Sequence, residues 1–353
     1  MKASRRNRLT LIAILALLAW PALAGAQERR GPISVPPASP APQETAASPG
    51  GKKAQPAPPR TPLVSLDVLA TDEDGLVLAG LHRDNFRVLD NGKPQSITHF
   101  EGVGAPITVV LLMEYSGMSY SYFAYKAAAW GSAFLNHLEP KDYLALVTYN
   151  IKPTVQVDFT RNRAQVQQAL GALSYPQSRE ASLYDAMIDT LDRLDHVKGK
   201  KAVLLIGTGA NTFGRSNLGE TLRRIKRSDA TIFVVGVAEA EYRSATGNSI
   251  AYLQSKNALQ TFAKLTGGMA WFPRFQGEIP GIFRSVAAHL RNQYRIGFTP
   301  ADLARDGKYH KLKVEIVGPD GRPLVVTNPK GQRRKSVVYT REGYTAPAGN
   351  PRE

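Results

Sequence analysis

The sequence predicts an α/β fold, in which a doubly wound, mainly parallel sheet is joined by a β-sandwich built from strands at both ends of the chain. In the middle of the 353 residues, apolar strands alternate with helical segments of roughly ten to twenty residues, as in βαβ units. The run Ile107–Met113 is apolar and β-branched throughout, as expected of a parallel strand buried on both faces. Short strands of alternating polarity, separated by turns, occur near both chain ends.

The central segments define the predicted sheet. Its strands are predicted at Ile107–Met113, Tyr143–Tyr149, Lys201–Ile206, Thr231–Val237 and Met269–Phe272. Its helices are predicted at Tyr120–Leu138, Arg163–Leu173, Ser182–Leu194, Leu218–Ser228, Ala251–Thr266 and Ile279–Gln293. In such sheets, ligands bind in the loops at the carboxyl ends of the strands.

The strands near the two termini predict the sandwich. They are Val64–Leu69, Phe86–Leu89 and Ser96–Phe100, with Tyr294–Phe298, Lys311–Val317 and Ser336–Tyr339 near the other end. Neither group alone has enough strands for a core, so both should share one sandwich. We therefore assign residues 63–104 and 293–345 to the sandwich, 105–292 to the α/β domain, and 346–353 to a disordered tail.

The first 62 residues predict export and a tether. A basic start, an apolar run at Leu9–Leu23 and the small residues Ala24-Gly25-Ala26 are typical of a signal peptide cleaved after Ala26. An uncleaved anchor is the alternative. Residues 27–62 are rich in proline and lack aromatics, which predicts a disordered linker, with a proline-recognition ligand as the alternative. The mature protein is therefore expected to be secreted or periplasmic, with no transmembrane span.

Charge and composition limit the function classes. The formal net charge is +16, and removing residues 1–26 takes away four positive charges and leaves +12. Because the protein is expected to be exported, nucleic acid is not an expected partner. Three basic stretches, Lys198–Lys201, Arg223–Arg227 and Lys330–Lys335, either face solvent or bind an anionic envelope polymer.

The sequence gives little support to an enzyme. The chain has no cysteine, no H-E-x-x-H, no G-x-S-x-G and no G-x-x-x-x-G-K motif, and its six histidines are scattered. The run Gly207-Thr208-Gly209-Ala210-Asn211-Thr212 begins like a dinucleotide loop but has threonine at the third glycine position. We therefore expect a non-catalytic protein without a cofactor.

Three loops at the carboxyl edge carry the candidate site. The first strand is followed by Glu114-Tyr115-Ser116-Gly117-Met118-Ser119, whose carboxylate and hydroxyls are hard oxygen ligands of the kind that Mg²⁺ uses. Ser182 is placed to cap a helix, with Asp185 as its capping-box partner. Thr208 follows the strand that ends at Ile206.

These loops resemble the von Willebrand factor A domain. The stretches VVLLMEYSGMS, SLYDAMIDTL, KAVLLIGTGANT and ATIFVVGV carry the resemblance. With DNFRVLDNGKPQSITHFE before them and QYRIGFTP after them, residues 63–345 are similar to bacterial secreted VWFA-related proteins of the acidobacterial type. The resemblance implies a doubly wound sheet, a partner-binding role and, in many members, a metal-ion-dependent adhesion site. The pattern of that site is D-x-S-x-S in the first loop, Thr in the second and Asp in the third.

Carried over by position, this pattern is degenerate here. Glu114 stands for the leading Asp, Ser116 is kept, and the second Ser falls on Met118, one residue before Ser119. The Thr position falls on Ala181, next to Ser182, and the third-loop Asp falls on Thr208. The resemblance therefore implies a site without a metal; if Mg²⁺ does bind, its ligands would be Glu114, Ser116, Ser119 and Thr208.

These observations predict a non-catalytic adhesion or assembly module that binds an unknown protein in the cell envelope or outside. The expected partner-binding face consists of Glu114, Tyr115, Ser116, Met118, Ser119, Ser182 and Thr208. Tyr120, Tyr122 and Phe123 would add apolar area, unless the aromatic residues pack beneath the loop. The alternatives are an Mg²⁺-dependent adhesion receptor and a basic binder of envelope polyanions.

Overall fold

The computed structural model describes residues 63–120, 124–237, 250–300, 306–328 and 330–348. The predicted signal peptide and linker lie outside these ranges, as do Tyr122, Phe123 and tail residues 349–353. Within these ranges, no helix combines the length and the apolar character needed to span a membrane.

The strands and helices of the described residues are as follows. The strands are β1 (Val64–Asp72), β2 (Phe86–Asp90), β3 (Lys93–Gln95), β4 (Ile97–Glu101), β5 (Ile107–Glu114), β6 (Tyr143–Tyr149), β7 (Pro153–Thr160), β8 (Lys200–Gly207), β9 (Thr231–Gly236), β10 (Ala270–Trp271), β11 (Gln293–Phe298), β12 (Tyr309–Ile316), β13 (Val325–Thr327), β14 (Arg333–Tyr339) and β15 (Gly343–Thr345). The helices are α1 (Gly117–Tyr120), α2 (Ala127–Leu135), α3 (Arg163–Gly171), α4 (Leu183–Leu194), α5 (Leu218–Arg227), α6 (Ile250–Thr266) and α7 (Ile279–Arg291).

The central sheet has six strands in the order β10-β9-β8-β5-β6-β7. All neighbours are parallel except β6 and β7, which form an antiparallel pair at one edge. The predicted mainly parallel sheet is therefore confirmed, whereas β7 was not predicted. Its alternating, half-exposed residues suit an edge strand, and the short connection through Asn150, Ile151 and Lys152 makes a hairpin rather than a crossover.

Helices cover both faces of this sheet. Leu111 and its neighbours on one face pack against α2, α3 and α7, for example against Phe134 and Phe283. Leu112 and its neighbours on the other face pack against α4, α5 and α6, for example against Phe262. Because β5 is buried on both faces, the loop that follows it emerges between these two cores.

The sandwich takes strands from both ends of the chain. One sheet has the order β13-β14-β1-β11-β4 and the other β15-β12-β2-β3. Their facing side chains form a third core, which includes Leu66, Phe86, Tyr294, Ile296 and Val314. The predicted fold class is therefore confirmed. The strands β3, β13 and β15 were not predicted, because three residues are too few to establish a pattern of alternation.

The predicted helix Tyr120–Leu138 is wrong in its bounds. The chain turns into the short α1 directly after β5, and α2 begins only at Ala127. The Ser116 carbonyl accepts from the Tyr120 backbone N–H at 3.0 Å, so this helical turn begins at the serine itself.

Two of the three lysines in the first basic stretch, Lys200 and Lys201, are buried, which contradicts the interpretation of the stretch as a solvent-facing or polyanion-binding segment; Lys198 is exposed. The Lys200 ammonium donates to the carbonyls of Leu290 and Gln293, at 3.2 and 2.7 Å. The Lys201 ammonium lies 2.8 Å from the Asp229 carboxylate. Lys200 and Lys201 begin β8, at the amino edge of the sheet, where the sheet meets the sandwich. Their charges are therefore used in contacts within the protein.

At the same junction, one buried arginine of the sandwich forms ion pairs with an acid of the sandwich and with an acid of the α/β domain. Arg295 of β11 contacts Asp67 of β1 at 3.1 Å and Asp229, just before β9, at 3.3 Å. Burial raises the pKa of Asp67, although Arg295 and Lys200 act in the opposite direction. The sandwich and the α/β domain are therefore joined through charged groups as well as through the chain.

Candidate functional site

The carboxylate of Glu114, the last residue of β5, lies at the centre of the carboxyl edge and is fully buried. One of its oxygens accepts a hydrogen bond from the Ser116 hydroxyl at 2.7 Å. The other accepts from the backbone N–H and from the hydroxyl of Thr208, both at 2.7 Å. The structure thus brings together the first and third predicted loops, and hydrogen bonds from the protein occupy both carboxylate oxygens.

The hydroxyls of the first loop are used within that loop. The Ser116 Oγ also accepts from the Ser119 backbone N–H, at 3.3 Å. The Ser119 Oγ lies 3.1 Å from the Ser116 carbonyl and 3.3 Å from the Glu114 carbonyl. These contacts close α1 onto the end of β5, and they fix the orientation of both serines.

Gly207 and Tyr149 complete the cluster. A Cβ at Gly207 would lie 2.5 Å from the Tyr149 hydroxyl oxygen and 2.9 Å from Glu114 Oε2, so only glycine fits there. The Tyr149 hydroxyl is buried and has no hydrogen-bond partner among the described residues. Burial raises the pKa of Glu114, against the effect of its hydrogen bonds, and burial next to Glu114 raises that of Tyr149 well above its usual value.

This ligand set does not fit Mg²⁺. The ion prefers carboxylate and other hard oxygens in near-octahedral geometry. Here Glu114 is the single carboxylate of the cluster, and both of its oxygens already accept hydrogen bonds. In the described ranges, no group of three or more His, Cys, Asp or Glu side chains is arranged to hold a metal ion.

Ser182 does not act as predicted. It lies at the start of α4, but its side chain makes no capping hydrogen bond, and its buried hydroxyl has no partner in the described part of the chain. The Asn211 side-chain oxygen instead accepts from the Tyr184 backbone N–H at 2.9 Å. The carboxylate of Asp185 accepts from the N–H groups of Arg215 and Ser216, both at 2.9 Å, so the predicted capping box is wrong. The loop after β8 packs against the start of α4 and supplies the acceptor for Tyr184 and the donors to Asp185, whereas the Ser182 backbone N–H donates to the Asn150 carbonyl at 2.6 Å.

The predicted partner-binding face is assembled, but it lies below the surface. The residues of that face that are no more than 8% exposed are Glu114, Tyr115, Ser116, Ser119, Ser182 and Thr208. The Tyr115 hydroxyl donates to the Leu173 carbonyl at 3.3 Å, so this ring packs beneath the loop. The side chain of Met118 lies outside the described residues. The prediction that these side chains contact a partner directly is therefore wrong for the buried ones, because neighbouring loops cover them.

The exposed residues at this edge are different ones. Four aromatic side chains project from its loops and are together called the aromatic rim: Tyr125, Tyr175, Phe213 and Phe275. Tyr175 is 66% exposed, and its ring packs edge-on against that of Tyr120, with 4.5 Å between centroids. The Tyr125 hydroxyl lies 3.3 Å from the side-chain oxygen of Gln276, which links the loop after β5 to the loop after β10.

Sequence reasoning missed the aromatic rim. Its members are single aromatic residues in polar loops, without the periodic pattern that marks helices and strands. The available signal was their position, because each lies in a loop at the carboxyl edge of the sheet.

A known family matches the part of the chain that contains this site. Residues 109–265 match the model of the von Willebrand factor type A domain. The matched segment begins in β5 and ends in α6, so it contains Glu114, Ser116, Ser119, Ser182 and Thr208. It contains none of the sandwich strands. No curated protein matches the chain.

Solved structures resemble the chain at low identity. BatB, a conserved hypothetical protein from Bacteroides thetaiotaomicron, is 15% identical over 52% of this chain and 98% of its own, with a TM-score of 0.42. The vWF domain of the type V pili tip protein Mfa5 from Porphyromonas gingivalis is 14% identical over 53% of this chain and 95% of its own, with a TM-score of 0.41. A von Willebrand factor type A protein from Catenulispora acidiphila is 12% identical over 71% of this chain and 72% of its own, with a TM-score of 0.40.

Proposed function

We propose that this protein is a non-catalytic adhesion or assembly module that acts outside the cytoplasm and binds a protein partner through the aromatic rim, without a metal ion. The observation that carries the proposal is the contrast at the carboxyl edge: the polar cluster is buried and internally satisfied, whereas the aromatic side chains around it are exposed. A partner would therefore contact the aromatic rim, and Glu114 would hold the loops in place.

The distribution of exposed apolar side chains supports this face. Eight large apolar side chains that are exposed lie at the carboxyl edge, against five in the rest of the described ranges: Tyr125, Ile151, Tyr175, Phe213, Leu218, Ile250, Leu253 and Phe275. Exposed apolar groups that cluster on one face are typical of interaction sites, and aromatic residues are enriched at the centres of protein interfaces.

The hydrogen bonds of Glu114 support independence from a metal. A carboxylate has about four lone-pair sites, and three of those of Glu114 already accept short hydrogen bonds, so little of this group is left for a cation. Fuller coordination of a metal ion by Glu114 would require Ser116 and Thr208 to release it.

The proposal is tested by capture from an envelope extract in which the aromatic rim is altered. The full chain, the double variant Tyr175→Ser with Phe213→Ser, and the control Leu76→Ser with Val325→Ser are immobilised separately. The control removes two exposed apolar side chains from the sandwich region, away from the carboxyl edge. Each capture is carried out in EDTA and in Mg²⁺.

We expect a protein that is retained by the unaltered chain and by the control, lost with the aromatic-rim variant, and retained equally in EDTA. Retention that requires Mg²⁺ would favour the adhesion-receptor alternative. Equal retention by all three forms would place the binding surface elsewhere and would refute the proposal.

A further inference from the structure

The loop before α4 lies directly on the first loop of the site. The Gly117 backbone N–H donates to the Ser178 carbonyl at 2.7 Å. A Cβ at Gly117 would lie 3.1 Å from Cγ of Arg179. The Arg179 side chain therefore begins beside Gly117, the first residue of α1.

The guanidinium of Arg179 is exposed and forms no ion pair with the described residues. Some arginines are paired, such as Arg224, which lies 2.6 Å from Asp192, whereas the exposed Arg215 and Arg223 resemble Arg179 in having no ion pair with the described residues. The neighbouring acid, Glu180, is exposed as well, and its backbone N–H bonds the Ser178 hydroxyl. Arg179 therefore has its donors available for a ligand outside the chain.

The charges around Arg179 favour an anionic ligand. Lys152, in the β6–β7 hairpin, and Arg215, in the loop after β8, are exposed at the same edge. Arg215 helps to hold the pKa of Asp185 low, against the effect of burial and together with hydrogen bonds from the loop backbone. With Arg179, these basic groups outnumber the acids Glu180 and Asp185 by three to two.

The shape of the guanidinium selects a carboxylate. Its planar array of N–H donors matches the two oxygens of a carboxylate, which a lysine ammonium does not. Tyr175, four residues before Arg179, presents an exposed ring that is supported by Tyr120. Arg179 lies against Gly117 and Tyr175 against Tyr120, so both residues border the single turn of α1. A charged fork and an aromatic ring on the same turn fit an acidic side chain flanked by an apolar one.

We infer that Arg179 and Tyr175 bind an acidic polypeptide segment of the partner, with its Asp or Glu carboxylate on the guanidinium and a neighbouring apolar side chain on the tyrosine ring. The inference rests on the proposed function, because it names the chemistry of the partner at the same face. In this inference an arginine recognises the carboxylate of the partner, and the buried Glu114 only holds the loops of the site together.

The test uses the immobilised full chain in EDTA and a displayed library of random twelve-residue peptides. The selected peptides are synthesised as such and with Asp and Glu replaced by Asn and Gln. Their affinities are then measured by fluorescence anisotropy for the unaltered chain, Arg179→Met, Arg179→Lys and the control Arg223→Met. The control removes the same charge from an exposed position on α5.

We expect selected peptides that are rich in Asp or Glu next to apolar residues and that bind about fivefold or more weakly to Arg179→Met. The affinity of Arg179→Lys should lie between those of the unaltered chain and of Arg179→Met, because the lysine keeps the charge and loses the paired donors. The amide peptides should bind the unaltered chain as weakly as the acidic peptides bind Arg179→Met, and Arg223→Met should bind normally.

Peptides without acidic residues, or equal affinities for Arg179→Met and Arg223→Met, would overturn the inference, as would a library that yields no binder. If the variant Tyr175→Ser with Phe213→Ser loses peptide binding while Arg179→Met keeps it, the proposed function stands and the inference alone fails. If neither variant loses peptide binding, both the inference and the proposed function fail. Polyphosphate that binds through Arg179 better than every peptide would point to a polyanion and would also overturn the inference.

Discussion

Thr208 donates two hydrogen bonds to one oxygen of Glu114, from its backbone N–H and from its hydroxyl, each at 2.7 Å. Thr208 directly follows β8 and Glu114 ends β5, and these two strands are neighbours in the sheet. The position at which the resemblance implies an Asp thus carries a donor that holds the first loop, where an Asp would repel the Glu114 carboxylate.

Removing the acceptor should destabilise the fold. In Glu114→Ala, the Ser116 hydroxyl and the two Thr208 donors lose their partner in a buried site, and a cavity is left. We expect a loss of about 3–5 kcal/mol in the free energy of unfolding, measured by urea denaturation. Glu114→Gln, which keeps the volume and one acceptor oxygen, should lose about 1–3 kcal/mol. A change below about 1 kcal/mol in Glu114→Ala would show that these bonds contribute little.

Magnesium should have no effect on this protein. Because both oxygens of Glu114 are occupied by donors of the chain, we expect no saturable heat on calorimetric titration with Mg²⁺ or Mn²⁺ and no rise in Tm with either ion. Glu114→Ala serves as the control for non-specific binding. Binding at millimolar or lower concentration that disappears in this variant would restore the adhesion-receptor alternative.

Ser182 and Asn217 should respond differently to alanine, although both precede a helix. The Ser182 hydroxyl is buried without a partner, so Ser182→Ala should leave the free energy of unfolding unchanged or raise it by up to about 1 kcal/mol. Asn217 accepts from the Glu220 backbone N–H at 3.0 Å, so Asn217→Ala should lower it by about 1 kcal/mol. Urea denaturation of both variants tests the contrast. A similar loss in both would mean that Ser182 does cap α4.

Lys200 should make stability rise with pH in alkaline solution. Burial lowers its pKa from 10.5 to about 8, although Asp67 acts in the opposite direction. Between these two values the unfolded chain binds more protons at this group than the folded chain, so the free energy of unfolding rises as the pH rises. Below about pH 8, Lys200 is charged in both the folded and the unfolded chain, so the free-energy cost of burying its charge remains in full.

Lys200→Met removes this contribution. We expect the stability of the unaltered protein relative to the variant to increase by about 1–3 kcal/mol between pH 7.5 and pH 10. Lys311→Met, which removes an exposed lysine from β12, is the matched control. Its free energy of unfolding should change with pH in the same way as that of the unaltered protein. A constant difference for Lys200→Met across this range would contradict the prediction.

The sequence predicted the parallel sheet better than its edges. The long apolar run of β5 and the alternation of strands with helices are local patterns, and they were enough to assign the sheet and to place the candidate loops at one edge. The strand β7 was not predicted, because its pairing with β6 depends on a hairpin at Asn150 and because half-exposed residues give only a weak strand pattern.

The sequence predicted that three residues of the candidate site meet, and it did not predict how deeply they are buried. That Glu114, Ser116 and Thr208 meet follows from the rule that parallel strands end at one edge. That they are buried follows from contacts such as those of Ser178 with Gly117, in which one loop covers another. No local pattern contains that information.

By itself, the sequence determined the fold class, the order of the elements and the residues that gather at the carboxyl edge, because periodicity and strand direction are local properties of the chain. Only the tertiary structure decided which of those residues reach the surface. It placed Glu114 in the interior, Lys200 and Lys201 at a buried junction, and Arg179 with the aromatic rim in solvent. The physical reason is that burial depends on residues far apart in sequence, as Thr208 and Glu114 are, 94 positions from each other.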